Sequence, residues 1–298
     1  MTSSRAPSPC YVALPPCASP PANILEFLDR RFPRVGRATW IARIGTGMVT
    51  DEAGSPVTLT TPYLPNSRLR YFREVPAEAP IPFHETIVYH DDNVLVACKP
   101  HYLPVTPSGP YVNECLLYRL RKTTGNPDLV LVNRLDRETA GLVLVSTSKP
   151  TRDLYYELFR KGTVHKLYEA VAPLVSPPAG GEWIIESRIE KGDRWFVSKE
   201  VEGAPNARTK IRLIAAREGL GLYELEPSTG KQHQLRLHMA SIGAPIVNDG
   251  LYPVLQPSRE LDFSQPLQLL AKSLAFDDPV TGQQRAFQSS RRLAMDWR

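Results

Sequence analysis

No Cys-x-x-Cys pair occurs in this chain, and no cysteine–histidine cluster has the spacing of a zinc site. The cysteines are Cys10, Cys17, Cys98 and Cys115. So few in a long chain fit a reducing cytoplasm, which is the expected location. No apolar run approaches the roughly 18 residues that a membrane-spanning helix needs. No Walker-type loop is present, and no Gly-x-Gly-x-x-Gly follows a strand, so nucleotide cofactors have no support. No internal repeat is visible. Acidic residues are missing from one stretch in particular: Arg30, Arg31, Arg34, Arg37 and Arg43 follow one another with no Asp or Glu between them.

What is there begins with a length of 298 residues, which suits one large domain or a catalytic domain with a small companion. The formal charge of +5, from 36 basic and 31 acidic residues, permits a nucleic-acid partner without demanding one. Met1 to Pro21 is rich in proline and serine without an apolar signal core, and is expected to be a disordered lead-in (1–21). Asn23 to Phe32 reads as a helix: Asn23 can cap it, Glu26 stands at the capping-box position, and Pro33 stops it. A second short helix is expected from Arg37 to Ile44, then strands at Val57 to Thr60 and Leu69 to Phe72. Val75 to Pro82, with three prolines, reads as a linker. Beyond it come a hairpin from Ile87 to Cys98 and helices at Glu114 to Lys122 and Thr151 to Lys161. Strands and helices alternate without a βαβ rhythm, so the fold class is α+β with a largely antiparallel sheet.

The most informative run is Val132-Asn133-Arg134-Leu135-Asp136-Arg137-Glu138-Thr139-Ala140-Gly141. It separates two short β-branched segments, Leu129 to Val132 and Leu142 to Val145, and so reads as a tight connection between strands. Asp136 would sit on a rigidly anchored loop, where catalytic carboxylates are often found. On spacing alone the same Asp could equally cap its own turn, or pair with Arg134 or Arg137.

This run resembles the His-Arg-Leu-Asp-x-x-Thr-Ser-Gly-Leu motif of RluA-type pseudouridine synthases, with Asn133 in place of the usual His and Ala140 in place of Ser. Further blocks follow in order. Lys166-Leu167-Tyr168-Glu169-Ala170 is similar to the family's Lys-x-Tyr-x-Ala. Thr229-Gly230-Lys231-Gln232-His233-Gln234-Leu235-Arg236-Leu237-His238 is similar to Thr-Gly-Arg-x-His-Gln-Leu-Arg-x-His, with Lys231 keeping the charge but losing the planar fork. The match continues through Gly243-Ala244-Pro245-Ile246-Val247-Asn248-Asp249-Gly250-Leu251-Tyr252, similar to Gly-x-Pro-Ile-x-Gly-Asp-x-x-Tyr with Asn248 in place of Gly, and Leu267 to Phe276 resembles the closing Leu-x-Leu-His-Ala-x-x-Leu-x-Phe, with Leu270 replacing His.

The resemblance implies a pseudouridine synthase fold from 83 to 298 and an isomerase that needs no cofactor and no metal. It makes Asp136 the catalytic carboxylate, Tyr168 the ring that stacks on the base and aids proton removal, and Arg236 the partner of Asp136. Arg134 would fill the space of a flipped-out base, with Leu269, Lys231, His233 and Gln234 at the substrate. The two arginine-bearing helices and the following β region resemble the small alpha-L RNA-binding fold of a ribosomal protein, so 22–75 is expected to be an RNA-binding domain using Arg30, Arg31, Arg34, Arg37 and Arg43. An ordinary basic cap is the alternative. The expected partner is ribosomal or transfer RNA, with no membrane, and the expected state is a monomer. Two other function classes stay open on the sequence: a non-catalytic RNA-binding relative, which the Asn133 and Leu270 departures favour, and a glycosidase using paired carboxylates, for which Glu138 is the only support.

Overall fold

The computed structural model describes residues 3–194, 196–257 and 262–293. The outermost residues of the expected lead-in and catalytic domain, 1–2 and 294–298, lie outside the described residues. The chain divides into two compact units, one of Met1–Ala79 with Pro107–Asn113, the other of Pro80–Thr106 with Glu114–Arg298.

In the first unit the elements are β1 (Ser3–Arg5), β2 (Cys10–Ala13), α1 (Ile24–Arg31), α2 (Arg37–Gly45), β3 (Val49–Asp51), β4 (Arg68–Tyr71) and β5 (Glu74–Pro76). Asn23 caps α1 through its side chain, which accepts from the Glu26 amide at 2.9 Å, while Glu26 reaches back to the Ala22 amide. A sheet in the order β2-β4-β3 packs Val12, Leu69 and Val49 against Leu28, Trp40 and Ile44 of the helices. The expected disordered lead-in is therefore corrected. Ser3–Arg5 pairs with β5, Cys10–Ala13 pairs with β4, and Val12 and Leu14 belong to the core. Proline and serine masked a short strand with one inward apolar residue. The expected linker is likewise shortened, since Glu74–Pro76 is a paired strand. Val57 to Thr60 is a turn rather than a strand. Pro56 and Pro62 lack donors, and the Thr58 amide bonds the Thr61 hydroxyl at 2.7 Å.

The second unit holds β6 (Thr86–His90), β7 (Val94–Lys99), α3 (Leu116–Thr124), β8 (Val130–Leu131), β9 (Ala140–Ser146), α4 (Arg152–Lys161) and β10 (His165–Pro173). It continues with β11 (Glu182–Lys191), β12 (Ser198–Val201), β13 (Ala207–Arg217), β14 (Leu220–Pro227), α5 (Gln234–Ser241), β15 (Leu269–Asp277) and β16 (Gln284–Gln288). Its sheet runs β12-β11-β13-β14-β10-β15-β9-β7-β6, with β16 on β15 and β8 on β9. The fold is α+β, and every strand pairing among the described residues is antiparallel except β15 with β9.

That parallel contact is where the connection carrying Asp136 enters the sheet. Gly141 pairs with Ala271 at φ +115, and a Cβ there would overlap the Ala271 carbonyl and lie 2.6 Å from its nitrogen. The run from 132 to 139 leaves β8, turns with the Thr139 amide on the Asp136 carbonyl, and re-enters as β9. Two side chains, one ending β7 and one just beyond it, pin this turn. Lys99, fully buried, donates through Nζ to the carbonyls of Pro100 (2.9 Å), Leu103 (2.8 Å) and Arg137 (3.0 Å). Burial pushes its amine down to about 7, against the pull of Glu138 and Asp136. His101 contacts the Glu138 carbonyl through Nδ1 at 2.6 Å. Burial lowers this imidazole to about 4, so it is neutral near pH 7, and a carbonyl partner requires Nδ1 to carry the hydrogen.

Gly141→Ala should destabilise the protein by on the order of 3 kcal/mol, from left-handed strain plus backbone overlap. A denaturant midpoint equal to wild type would show that β9 and β15 can part without cost. The buried lysine makes a second prediction. Between pH 7 and 10 the unfolded amine holds a proton that the folded one has released, so folding stability rises with pH in that window. The gain is about 1.4 kcal/mol per pH unit at most, and below pH 7 the burial penalty is fully present. Measured against Lys99→Met, wild type should therefore gain relative stability between pH 7 and 9. A flat difference would mean the amine keeps its proton.

Candidate active site

Helix α5 is buried on every side from Gln234 to Met239, although three of those six residues carry polar groups. Those groups must then be satisfied internally. Gln234 spends its whole amide. Nε2 donates to the Arg208 carbonyl and the Thr209 hydroxyl, both at 2.9 Å, and Oε1 accepts from Thr229 Oγ1 at 2.7 Å and the Lys231 amide at 3.0 Å. The expectation that Gln234 touches substrate is corrected: it fastens the loop from which Lys231 and His233 project, and has no capacity left for a ligand.

Arg236 is 2% exposed. The sequence assigns it to Asp136, but its main partner is Asp249. Nε and Nη2 donate to Asp249 Oδ2 and Oδ1 at 2.8 and 2.5 Å, and the Asp249 side chain is 1% exposed. The remaining nitrogen, Nη1, lies 3.6 Å from Asp136 Oδ2 and has no hydrogen-bond partner among the described residues. Burial opposes the charge on Arg236, but the bonds to Asp249, and then the charges of Asp136 and Glu138, outweigh it and hold the guanidinium above its ordinary value. Asp249 also accepts from the amides of Leu251 (2.8 Å) and Tyr252 (3.2 Å), so it is fixed before it meets Arg236. Asp249 stands in one of the matched runs, but the sequence assigns it no role. The signal was available: a buried arginine needs a buried carboxylate, and Asp136 lies on a solvent-reaching turn.

On the other side of Asp136, His233 Nε2 stands 3.8 Å from Oδ1. His233 adopts φ +57, unusual for a residue with a side chain, and its Nδ1 meets the Tyr252 hydroxyl at 2.9 Å. Burial lowers this imidazole although Asp136 pulls the other way. Glu138, two residues from Asp136, is half-buried, which would raise it, yet Arg137 and then Arg236 hold it low. Its carboxylate bonds Arg137 Nε at 2.8 Å rather than standing opposite Asp136 as a second catalytic carboxylate.

Tyr168 comes from β10, the strand beside β15. A register shift between Leu167 and Tyr168 marks its place in the ladder with β15. The ring packs on the cluster of Leu235, Met239, Ile246 and Leu269. Burial, and then the negative charge of Asp136, push its phenol up, so it stays protonated at neutral pH. Leu269 is buried beside it. Arg134 is exposed and, among the described residues, makes no hydrogen bond or ion pair; Lys231 is also exposed. Asp136, Tyr168, His233 and Arg236 thus converge.

The expected RNA-contacting arginines fare unevenly. Arg43 is buried over the Trp40 ring at 5.0 Å, so its expected role is corrected. Arg30 pairs with Glu26, and Arg37 lies 3.6 Å from Asp29. The stretch has no acid within it, but Glu26 and Asp29 precede it by less than two helical turns. Among the described residues no helix is long and apolar enough to cross a membrane.

The family model described as RNA pseudouridylate synthase matches residues 93–241. The dual-specificity RNA pseudouridine synthase RluA of Vibrio cholerae is 31% identical over 193 residues, which are 65% of this chain and 77% of that protein. Ribosomal large subunit pseudouridine synthase D of Neisseria meningitidis is 29% identical, over 72% of this chain and 60% of its own length. Among solved structures, human RNA pseudouridylate synthase domain containing 4 superimposes with a TM-score of 0.53 at 25% identity, covering 70% of this chain and 88% of that one. The matched region runs from β7 to α5 and takes in the Asp136 turn, Tyr168 and Arg236, and on it the chain belongs to the RluA family of RNA pseudouridine synthases, which are isomerases.

Proposed function

We propose that this enzyme isomerises uridine in folded ribosomal RNA, with Asp136 as the catalytic carboxylate, Tyr168 as the stacking and proton-relaying ring, and Arg236 as the group that orients Asp136. The observation that carries the reading is the unspent Nη1 of a doubly anchored arginine facing Asp136 at 3.6 Å. The name of the Neisseria relative supports ribosomal RNA first; the dual specificity in the name of the Vibrio relative leaves room for a second RNA substrate.

The reaction breaks the N1–C1′ bond, turns the uracil, joins C5 to C1′ and finally removes the C5 proton. No atom is gained, so the chemistry calls for no redox or group-transfer cofactor. Asp136 can attack C1′ or take a sugar proton, and in either role it must be held in one direction. A protonated Tyr168 cannot be a standing phenolate. It can stack on uracil and pass the C5 proton on through its hydroxyl. The target base must leave its stack to reach Asp136, and the unpaired Arg134 on the same turn suits the vacated space. The N-terminal unit supplies RNA affinity, as an alpha-L-like module would, and the enzyme acts as a monomer.

Mapping pseudouridines in total RNA from cells with and without the protein tests the reading. At least one ribosomal RNA site should vanish and return with wild type but not with Asp136→Ala. If only transfer RNA sites change, the ribosomal assignment is wrong. Stability separates the two aspartates: Asp136→Ala should leave the denaturant midpoint near wild type, whereas Asp249→Ala should cost about 3–5 kcal/mol by stranding a buried guanidinium. Equal losses would erase the distinction between anchor and catalytic group. Tyr168→Phe should bind RNA normally and turn over about 10²–10⁴ times more slowly; an unchanged single-turnover rate would reduce Tyr168 to packing.

A further inference from the structure

The N-terminal unit carries a second group of arginines that the sequence pattern does not single out. In β2, Val12 faces the core, while Tyr11 and Ala13 face outward; in β4, Leu69 faces the core, while Arg68 and Arg70 face outward. The register sets Tyr11 opposite Arg70 and Ala13 opposite Arg68, with Thr50 of β3 flanking Arg70 on its other side. Helices α1 and α2 contribute to the core on the opposite face. The outer face of this sheet is thus a tyrosine beside two arginines on the central strand.

Tyr11 is 62% exposed, the highest value among the described large hydrophobic side chains of this unit. The Arg70 guanidinium lies 6.0 Å from its ring centroid. Arg70 has no ion pair or hydrogen bond to the described residues, and its Nε is buried with no acceptor. Arg68 has only Glu52, at 4.0 Å, an exposed pair of little strength. The nearby Asp51 carboxylate already accepts from the Ser55 amide at 2.8 Å. A partly buried guanidinium without an acceptor is an unmet demand for an anion, and phosphate fits its fork. An exposed ring at its side offers a surface on which any base can stack.

We propose that this sheet face is a binding subsite for single-stranded RNA, in which one base stacks on Tyr11 and the adjoining phosphate binds Arg70, with Arg68 following along the strand. It is separate from the arginines of 30 to 43, three of which are already paired or buried. The inference rests on the reading that this protein handles RNA. It adds which surface of the N-terminal unit holds a strand, and that the hold is independent of sequence.

The test uses the full-length protein and a labelled oligo-uridine, with affinity read by fluorescence anisotropy across a salt titration. Tyr11→Ser should weaken binding between about fivefold and a hundredfold, and Tyr11→Phe should bind as wild type, since stacking needs the ring and not the hydroxyl. Arg70→Gln should weaken binding and flatten the log–log salt slope by about 0.7, the share of one phosphate on a single strand. Pseudouridine formation at saturating RNA should be unchanged in all three. Wild-type affinity in Tyr11→Ser, or an unaltered slope in Arg70→Gln, overturns the proposal. So does an oligo-glutamate peptide that binds wild type as tightly as the RNA and is indifferent to Tyr11→Ser, because the face is then a general anion patch. The two readings can fail separately. Loss of RNA binding in Tyr11→Ser from a protein that makes no pseudouridine would keep this subsite and remove the catalytic reading; full isomerisation with no effect of Tyr11 would do the reverse.

Discussion

The catalytic unit depends on one buried cation with two carboxylates to answer. Placing Arg236 in a helix that is buried all round would be costly if it were left alone. Asp249, held by two backbone amides, takes two of its nitrogens in a forked arrangement. That contact satisfies most of the charge and fixes the plane of the guanidinium. The third nitrogen then points at Asp136 without being consumed by it, at 3.6 Å rather than at bonding distance. A carboxylate locked in a tight bidentate pair would be stabilised in its resting state and a weaker participant in chemistry. By dividing the work, the structure leaves Asp136 oriented yet available. Active-site contacts of this length can tighten when substrate excludes water.

The same division appears in the backbone. Asp136 sits on a turn, where side chains reach a substrate easily but geometry is loose. Here the turn is fastened by Lys99 at the Arg137 carbonyl, by His101 at the Glu138 carbonyl and by the close approach of Gly141 to Ala271. None of these contacts involves the Asp136 side chain. The carboxylate therefore keeps its freedom to react while the peptide that carries it does not move.

The sequence made the strands around this turn legible because their apolar runs are short, β-branched and bounded by polar residues; the hairpin of β6 and β7 and the α+β class followed from the same pattern. Asp136, Tyr168 and Arg236 were visible as motif residues, and they converge in space. What local pattern could not supply was pairing over distance. Asp249 stands in a run that resembles a family motif without suggesting a partner for its carboxylate, and only the burial of Arg236 shows what it is for. Gln234 differs for the matching reason: its place in the motif suggests a substrate contact, whereas its amide is spent on the loop. In the N-terminal unit, charge clustering along the chain pointed to Arg43, yet alternation in β4 is what leaves Arg70 unpaired at the surface. A cluster in sequence counts charges, whereas availability depends on what lies within bonding distance.

The departures from the family pattern obey the same physics. Asn133, standing where the family has His, accepts the Leu144 amide at 2.7 Å through Oδ1, so a short side chain still ties the start of the turn to β9. Leu270, also in place of a His, is buried with Ala140, Val171 and Leu222 around it, an environment in which an imidazole would need a partner and a leucine needs none. Both positions support the turn or the sheet behind it. Lys231 differs in kind: it is exposed on the loop before α5, where exchanging a planar fork for a point charge alters what can be grasped outside without disturbing anything within. The substitutions that touch the interior are each compensated by a bond or by packing, while the one that is not compensated faces the solvent from which RNA must arrive. That distribution argues against a non-catalytic relative, in which the restraints on the Asp136 turn would have no reason to persist.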